Sequence, residues 1–141
     1  MNECLDVLRR APVLNYCLAE CHSWDDATLD LGTRTIRMIL HRRLRSLNFS
    51  YTGTRLLEAI NVPSLEEWTH STRGDPLPVT AMVSLLQRSG CCLKILDLQK
   101  ISAPPDDLSN LFQAMPSVER LRLHFRSDVN GVMDDTTCTK K

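Results

Sequence analysis

The side chains of this chain with chemical potential are a few cysteines, histidines and arginines. Cys17, Cys21 and His22 form a C-x3-C-H group that brings thiols and an imidazole together. A zinc site needs four ligands. Cys91 and Cys92 do not complete one, because they are adjacent and neighbouring residues of a strand face opposite ways. No metal and no cofactor are expected. A thiol enzyme needs a base beside its nucleophile. His22, His41, His70 and His124 fall in no pattern that supplies one, and G-x-S-x-G, H-E-x-x-H and G-x-x-x-x-G-K-[ST] are all missing. No catalysis is expected. Arg34, Arg37, His41, Arg42, Arg43 and Arg45 make one basic cluster. It fits a solvated face balanced by Asp25, Asp26 and Asp30, or alternatively a weak anion or RNA patch. Aromatic residues for base stacking are missing around it, so nucleic acid is not the expected partner.

The elements that must position these groups are set by leucine. The chain carries 22 leucines in 141 residues but only 5% aromatics. An L-x-x-L-x-L pattern recurs at Leu44, Leu47, Phe49, at Leu93, Leu96, Leu98 and at Val118, Leu121, Leu123. Leu65, Trp68, His70 and Leu14, Cys17, Ala19 follow it less closely. The first anchors lie 30, 21, 28 and 25 residues apart. Leucine-rich repeats have periods of about 20–29 residues with one strand each. Three strands follow a proline two residues ahead of the anchor, at Pro12, Pro63 and Pro116. Apolar residues at helical spacing precede them, such as Leu56, Leu57, Ile60 and Leu108, Leu111, Met115. Residues 79–88 read as a further helix with Thr80 as its cap and Ser89-Gly90 as its stop. Asp106 or Asp107 is the expected cap of the last helix.

The expected fold is α/β: a short leucine-rich-repeat solenoid of four to five irregular strand-helix units. Such units cannot bury an apolar face alone, and stacking them makes one core of similar, moderate-sized side chains. Residues 1–125 form that domain, and residues 126–141 read as a flexible tail. Residues 28–31 and 34–40 suggest an extra strand and a helix.

Between the inward leucines, alternate positions point outward. Glu66, Glu67 and Thr69 would neighbour Lys94 and Asp97, and these would neighbour Glu119, Arg120 and Arg122. Arg45 and Asn48 extend the row. A mixed-charge ladder of this kind suits recognition of a protein partner. The 17 basic and 17 acidic residues balance to a net charge of +0, which removes bulk attraction to nucleic acid or acidic membranes. No apolar run reaches the ~18 residues of a membrane span. The N-terminal residues carry Glu3 and Asp6 and lack a secretory pattern, so reduced thiols and a cytoplasmic or nuclear location are expected.

Residues 82–123 (MVSLLQRSGCCLKILDLQKISAPPDDLSNLFQAMPSVERLRL) resemble the leucine-rich-repeat region of fungal F-box-like proteins. There a helix, a serine-glycine-cysteine turn, a strand, an acidic turn, a helix ending in proline and a second strand follow one another. Residues 56–71 look like another such unit, and the likeness is good over 56–125 and looser over 5–51. The resemblance implies the substrate-recognition half of a ubiquitin-ligase adaptor, binding a protein substrate without chemistry of its own. It implies a ligase linker protein as partner only with an F-box upstream. No leucine-proline-acidic opening of an F-box is found, and the chain starts inside what looks like a repeat. The asparagine of the commoner repeat is replaced by His22, Thr52, Arg73, Ile101 and Arg126. The alternative is an orphan or truncated repeat scaffold without a ligase role.

Overall fold

Proline two residues ahead of an apolar anchor builds the same turn three times. The N–H groups of Leu14, Leu65 and Val118 donate to the carbonyls of Ala11, Val62 and Met115 at 3.1, 3.1 and 3.3 Å. At Leu44 no proline precedes, and the anchor N–H donates instead to Nδ1 of His41 at 3.1 Å. That imidazole is held from its other side, where Nε2–H donates to the Ala11 carbonyl at 2.8 Å. His41 is therefore a structural bridge between two turns.

A computed structural model describes residues 2–20, 38–50, 54–72, 75–126 and 135–139. In chain order the elements are α1 (Asn2–Arg10), β1 (Tyr16–Glu20), β2 (Ile39–Leu40), β3 (Ser46–Ser50), α2 (Thr54–Ala59), β4 (Ile60–Asn61), β5 (Glu67–Ser71), α3 (Val79–Ser89), β6 (Ile95–Ile101), α4 (Pro105–Gln113), β7 (Arg120–Phe125) and β8 (Asp135–Thr139). The main sheet runs β1-β3-β5-β6-β7-β8. Its first five strands are parallel and add in order along the chain, and β8 closes antiparallel on β7. A second, two-stranded parallel pair joins β2 to β4.

Register places the anchors in rows. Cys17, Leu47, Trp68, Leu96 and Leu121 are cross-strand partners in one row, and Ala19, Phe49, His70, Leu98 and Leu123 in the next. All but Leu121, which is half-buried, are buried. The helices cover these rows with Leu5 and Leu8 of α1, Leu56 and Leu57 of α2, Met82, Leu85 and Leu86 of α3, and Leu108 and Leu111 of α4. Helix α3 packs between α2 and α4. Each leucine removed from water contributes about 1.5–3 kcal/mol, so the layered core supplies the main driving force.

Several expectations are corrected at element ends. Ile39 and Leu40 are strand, not the end of a helix over residues 34–40. Ile39 is buried, and the pairing is extended by the His41 N–H donating to the Asn61 carbonyl at 2.8 Å. Residues 28–31 and 34–37 lie outside the described residues. Ile60 leaves the helical face to pair with Ile39. Thr80 is inside the first turn of α3, whose N-cap is Pro78 with no side-chain cap. Gly90 does end α3, in the left-handed conformation at φ 57°, with its N–H on the Leu86 carbonyl. Asp106 and Asp107 sit in the first turn of α4 behind the N-cap Pro104, where they act on the helix dipole rather than as caps. Within the expected tail, Asp135–Thr139 is strand β8, because the edge of β7 would otherwise leave a row of backbone groups unpaired.

Candidate functional site

The ten outward residues singled out from the sequence are sorted by the backbone into three rows. The first lies just ahead of the strands. Each carbonyl there accepts from two successive N–H groups of the next unit: Asn15 from Arg45 and Ser46, Arg45 from Glu66 and Glu67, Glu66 from Lys94 and Ile95, Lys94 from Glu119 and Arg120, all at 2.8–3.0 Å. This ladder sets Arg45, Glu66, Lys94 and Glu119 side by side with alternating charge. Glu66 Oε1 takes Lys94 Nζ at 3.5 Å and Arg45 Nη1 at 3.9 Å. Arg45 and Lys94 are exposed and Glu66 is partly so, and the pairs contribute about 0–1 kcal/mol each and serve arrangement more than stability.

The second row holds Glu67 and Arg120 in register with Ser46 and Ile95. The third holds Asn48, Thr69, Asp97 and Arg122 as consecutive cross-strand partners. Asp97 differs from the rest of this face: it is only 9% exposed. Its Oδ2 lies 3.9 Å from Arg122 Nη1 and its Oδ1 lies 3.7 Å from His124 Nε2. Both distances are longer than hydrogen bonds, and the buried Oδ1 has no hydrogen-bond partner. A carboxylate oxygen with unfilled acceptor capacity thus stands in the middle of the sheet face.

His124 is the member of this group that was not anticipated as outward. The signal was available: Leu121 and Leu123 turn inward, so strand alternation sends Arg120, Arg122 and His124 the other way. On strand β1, nearest the start of the sheet, the same face is apolar, with Tyr16 and Leu18 exposed.

The other candidates for chemistry are dispersed. Cys17 points into the core and the half-buried Cys4 of α1 meets it, one thiol hydrogen-bonded to the other. That bond lowers the Cys17 thiol from 9.0 to about 7 and, with burial, pushes Cys4 up. Cys21 and His22 lie outside the described residues. Cys91 and Cys92 lie between α3 and β6 rather than in a strand, and burial pushes the Cys91 thiol up. Among the described residues no three histidine, cysteine or acidic side chains stand close enough to hold a metal ion. His41 leaves the basic cluster for its structural role, whereas Arg42, Arg43 and Arg45 remain exposed. Arg34 and Arg37 lie outside the described residues. No helix among the described residues is long and apolar enough to cross a membrane.

Comparisons of the chain with family models, with curated proteins and with solved structures return no match.

Proposed function

We propose that the domain is a leucine-rich-repeat solenoid that binds a protein partner on the open face of its parallel sheet and performs no bond chemistry. The observation that carries this reading is Asp97, a nearly buried carboxylate whose Oδ1 lacks a hydrogen bond although Arg122 and His124 flank it. Burying an incompletely satisfied charge is costly. The cost is offset when a partner brings a donor to that oxygen, and the Arg45–Glu66–Lys94 ladder beside it adds complementary charge that fixes orientation. The resemblance to F-box-like proteins gives the role its most specific form, a recognition domain that presents a captured protein for ubiquitin ligation. A ligase linker protein is then a partner of any gene product that carries an F-box ahead of these repeats. Cys4, Cys17, Cys91 and Cys92 are all free thiols, which supports a reducing compartment, the cytoplasm or nucleus.

The test is site-specific photo-crosslinking in cells. A photoreactive residue at Thr69, on the sheet face, is expected to trap a partner. The same residue at Gln87, on the exposed side of α3, is expected to trap none. Purified partner should then lose affinity for the triple variant Glu66→Ala, Lys94→Ala, Arg122→Ala while its fold persists. Equal trapping from Gln87, or undiminished binding by the triple variant, rejects the sheet face as the site.

A further inference from the structure

A second site lies at the start of the sheet, outside the rows described above except for one shared residue. Asn15, Arg42, Arg43, Arg45 and Ser64 line an open cavity of about 470 Å3. Its walls come from three successive turns, those ahead of β1, β3 and β5. Their backbones are fixed. The Asn15 carbonyl accepts from the N–H groups of Arg45 and Ser46, Ser64 Oγ donates to the Arg42 carbonyl at 2.6 Å, and His41 is clamped through both ring nitrogens. The guanidinium groups are not fixed to the same degree. Arg42 and Arg43 are exposed and make no ion pair or side-chain hydrogen bond among the described residues. Among the described residues Arg45 pairs with Glu66 alone, at 3.9 Å, and Glu66 is shared with Lys94.

Three arginines thus line one cavity, and among the described residues a single shared carboxylate, Glu66, pairs with any of them. Guanidinium groups match tetrahedral oxyanions in geometry, each fork offering two parallel N–H bonds. A dianion can engage several forks at once, while a carboxylate carries one charge and one plane. Asn15, a neutral polar residue, completes the lining beside the arginines and Ser64. The Ser64 hydroxyl proton is already committed to the Arg42 carbonyl, so Ser64 shapes the turn instead of binding. The lining has no aromatic ring on which a base could stack, which disfavours a nucleic-acid strand.

We infer that Arg42, Arg43 and Arg45 form a binding site for a compact dianionic oxyanion of the phosphate-monoester type. The site does not depend on the partner reading of the sheet face, because Arg42 and Arg43 take no part in that ladder.

The experiment titrates the full chain with inorganic phosphate at constant ionic strength, following the arginine Nε–Hε resonances by NMR. Saturable shifts at Arg42 and Arg43, which chloride does not reproduce, are expected. The double variant Arg42→Gln, Arg43→Gln should weaken binding about tenfold or more. Arg43→Lys, which keeps the charge and loses the fork, should weaken it too and serves if the double variant misfolds. A phosphoserine peptide that binds more tightly than phosphate, with its unphosphorylated form inert, assigns the ligand to a modified protein side chain. Equal affinity for the two assigns a free phosphate compound. Either result supports the site. Shifts that chloride reproduces, binding unchanged in the variants, or tighter binding of single-stranded RNA than of either monoester overturns it.

Discussion

The imidazole of His70 lies 5.7 Å from the ring of Phe49, its cross-strand neighbour, with the two planes tilted by 31°. Trp68 meets it edge-on at 6.3 Å, and neither His70 nitrogen has a hydrogen-bond partner. A histidine thus occupies a leucine position of the layered core.

Acid should weaken the fold through this residue. Burial lowers the His70 pKa from 6.5 to about 4. Below the unfolded value the unfolded chain takes up a proton that the folded chain refuses. Stability is therefore complete above about pH 6.5 and falls until the folded group titrates near pH 4, by about 3 kcal/mol in all. His70→Leu removes both this slope and two unsatisfied polar atoms, so the variant should be more stable at pH 7 and flatter in acid. Urea unfolding at pH 7 and pH 4.5 measures both; an undiminished acid slope in the variant would assign the sensitivity elsewhere.

Residues legible from spacing were those whose neighbours are local. The proline turns and the inward anchors follow from the positions of Leu14, Leu65 and Val118, and alternation then brings Asn48, Thr69, Asp97 and Arg122 to one row. What was not legible depends on distant backbone. Ile39 forms strand because Ile60 is there to pair with it, and residues 135–139 form strand because β7 offers an edge. The depth of Asp97 is likewise a property of the assembled face, since an aspartate between two leucines carries no local sign of burial. At His41, a side chain does what a carbonyl does in the three proline turns, and composition gives no hint of it.

Helix α3 is fastened to α2 and to the chain that follows it by two adjacent residues. Arg88 Nη2 donates to the carbonyls of Leu57 and Ile60 at 2.6 and 2.9 Å, and Ser89 Oγ accepts the buried Val62 N–H at 3.0 Å. Ser89→Ala leaves that N–H without an acceptor and should cost about 1–3 kcal/mol. Arg88→Ala uncovers the carbonyls of Leu57 in α2 and Ile60 in β4 and should cost a similar amount, whereas Arg88→Lys recovers part of it. Denaturant midpoints of the three variants decide this; a shift at Ser89 within error would mean that Val62 finds another acceptor.

Lys100 is the one non-glycine residue with positive φ among the described residues, at 55°. The register slips there between Gln99 and Ile101, which lets Ile101 turn into the core while the Lys100 carbonyl accepts Thr72 Oγ1 at 2.7 Å. A left-handed conformation costs a side-chain-bearing residue roughly 1–2 kcal/mol. Lys100→Gly relieves it against a larger loss of chain entropy, so a gain of about 0–1 kcal/mol is expected. Lys100→Val should lose more than 1 kcal/mol, roughly, because β-branching tightens the clash. Equal stability of the glycine and valine variants would show that the backbone relaxes at this bulge.

The Cys4–Cys17 contact makes a final prediction about a thiol that faces the core. The thiol of Cys4 donates to Cys17 and stabilises its thiolate, setting its pKa at about 7 against burial, which acts the other way. Removing the donor in Cys4→Ala leaves burial alone. The Cys17 pKa should then rise to the ordinary 9.0 or beyond. The 13Cβ shift of Cys17 followed against pH reads this directly and does not require a reagent to reach the core. An inflection that stays near 7 in the variant would show that a group other than Cys4 holds the thiolate.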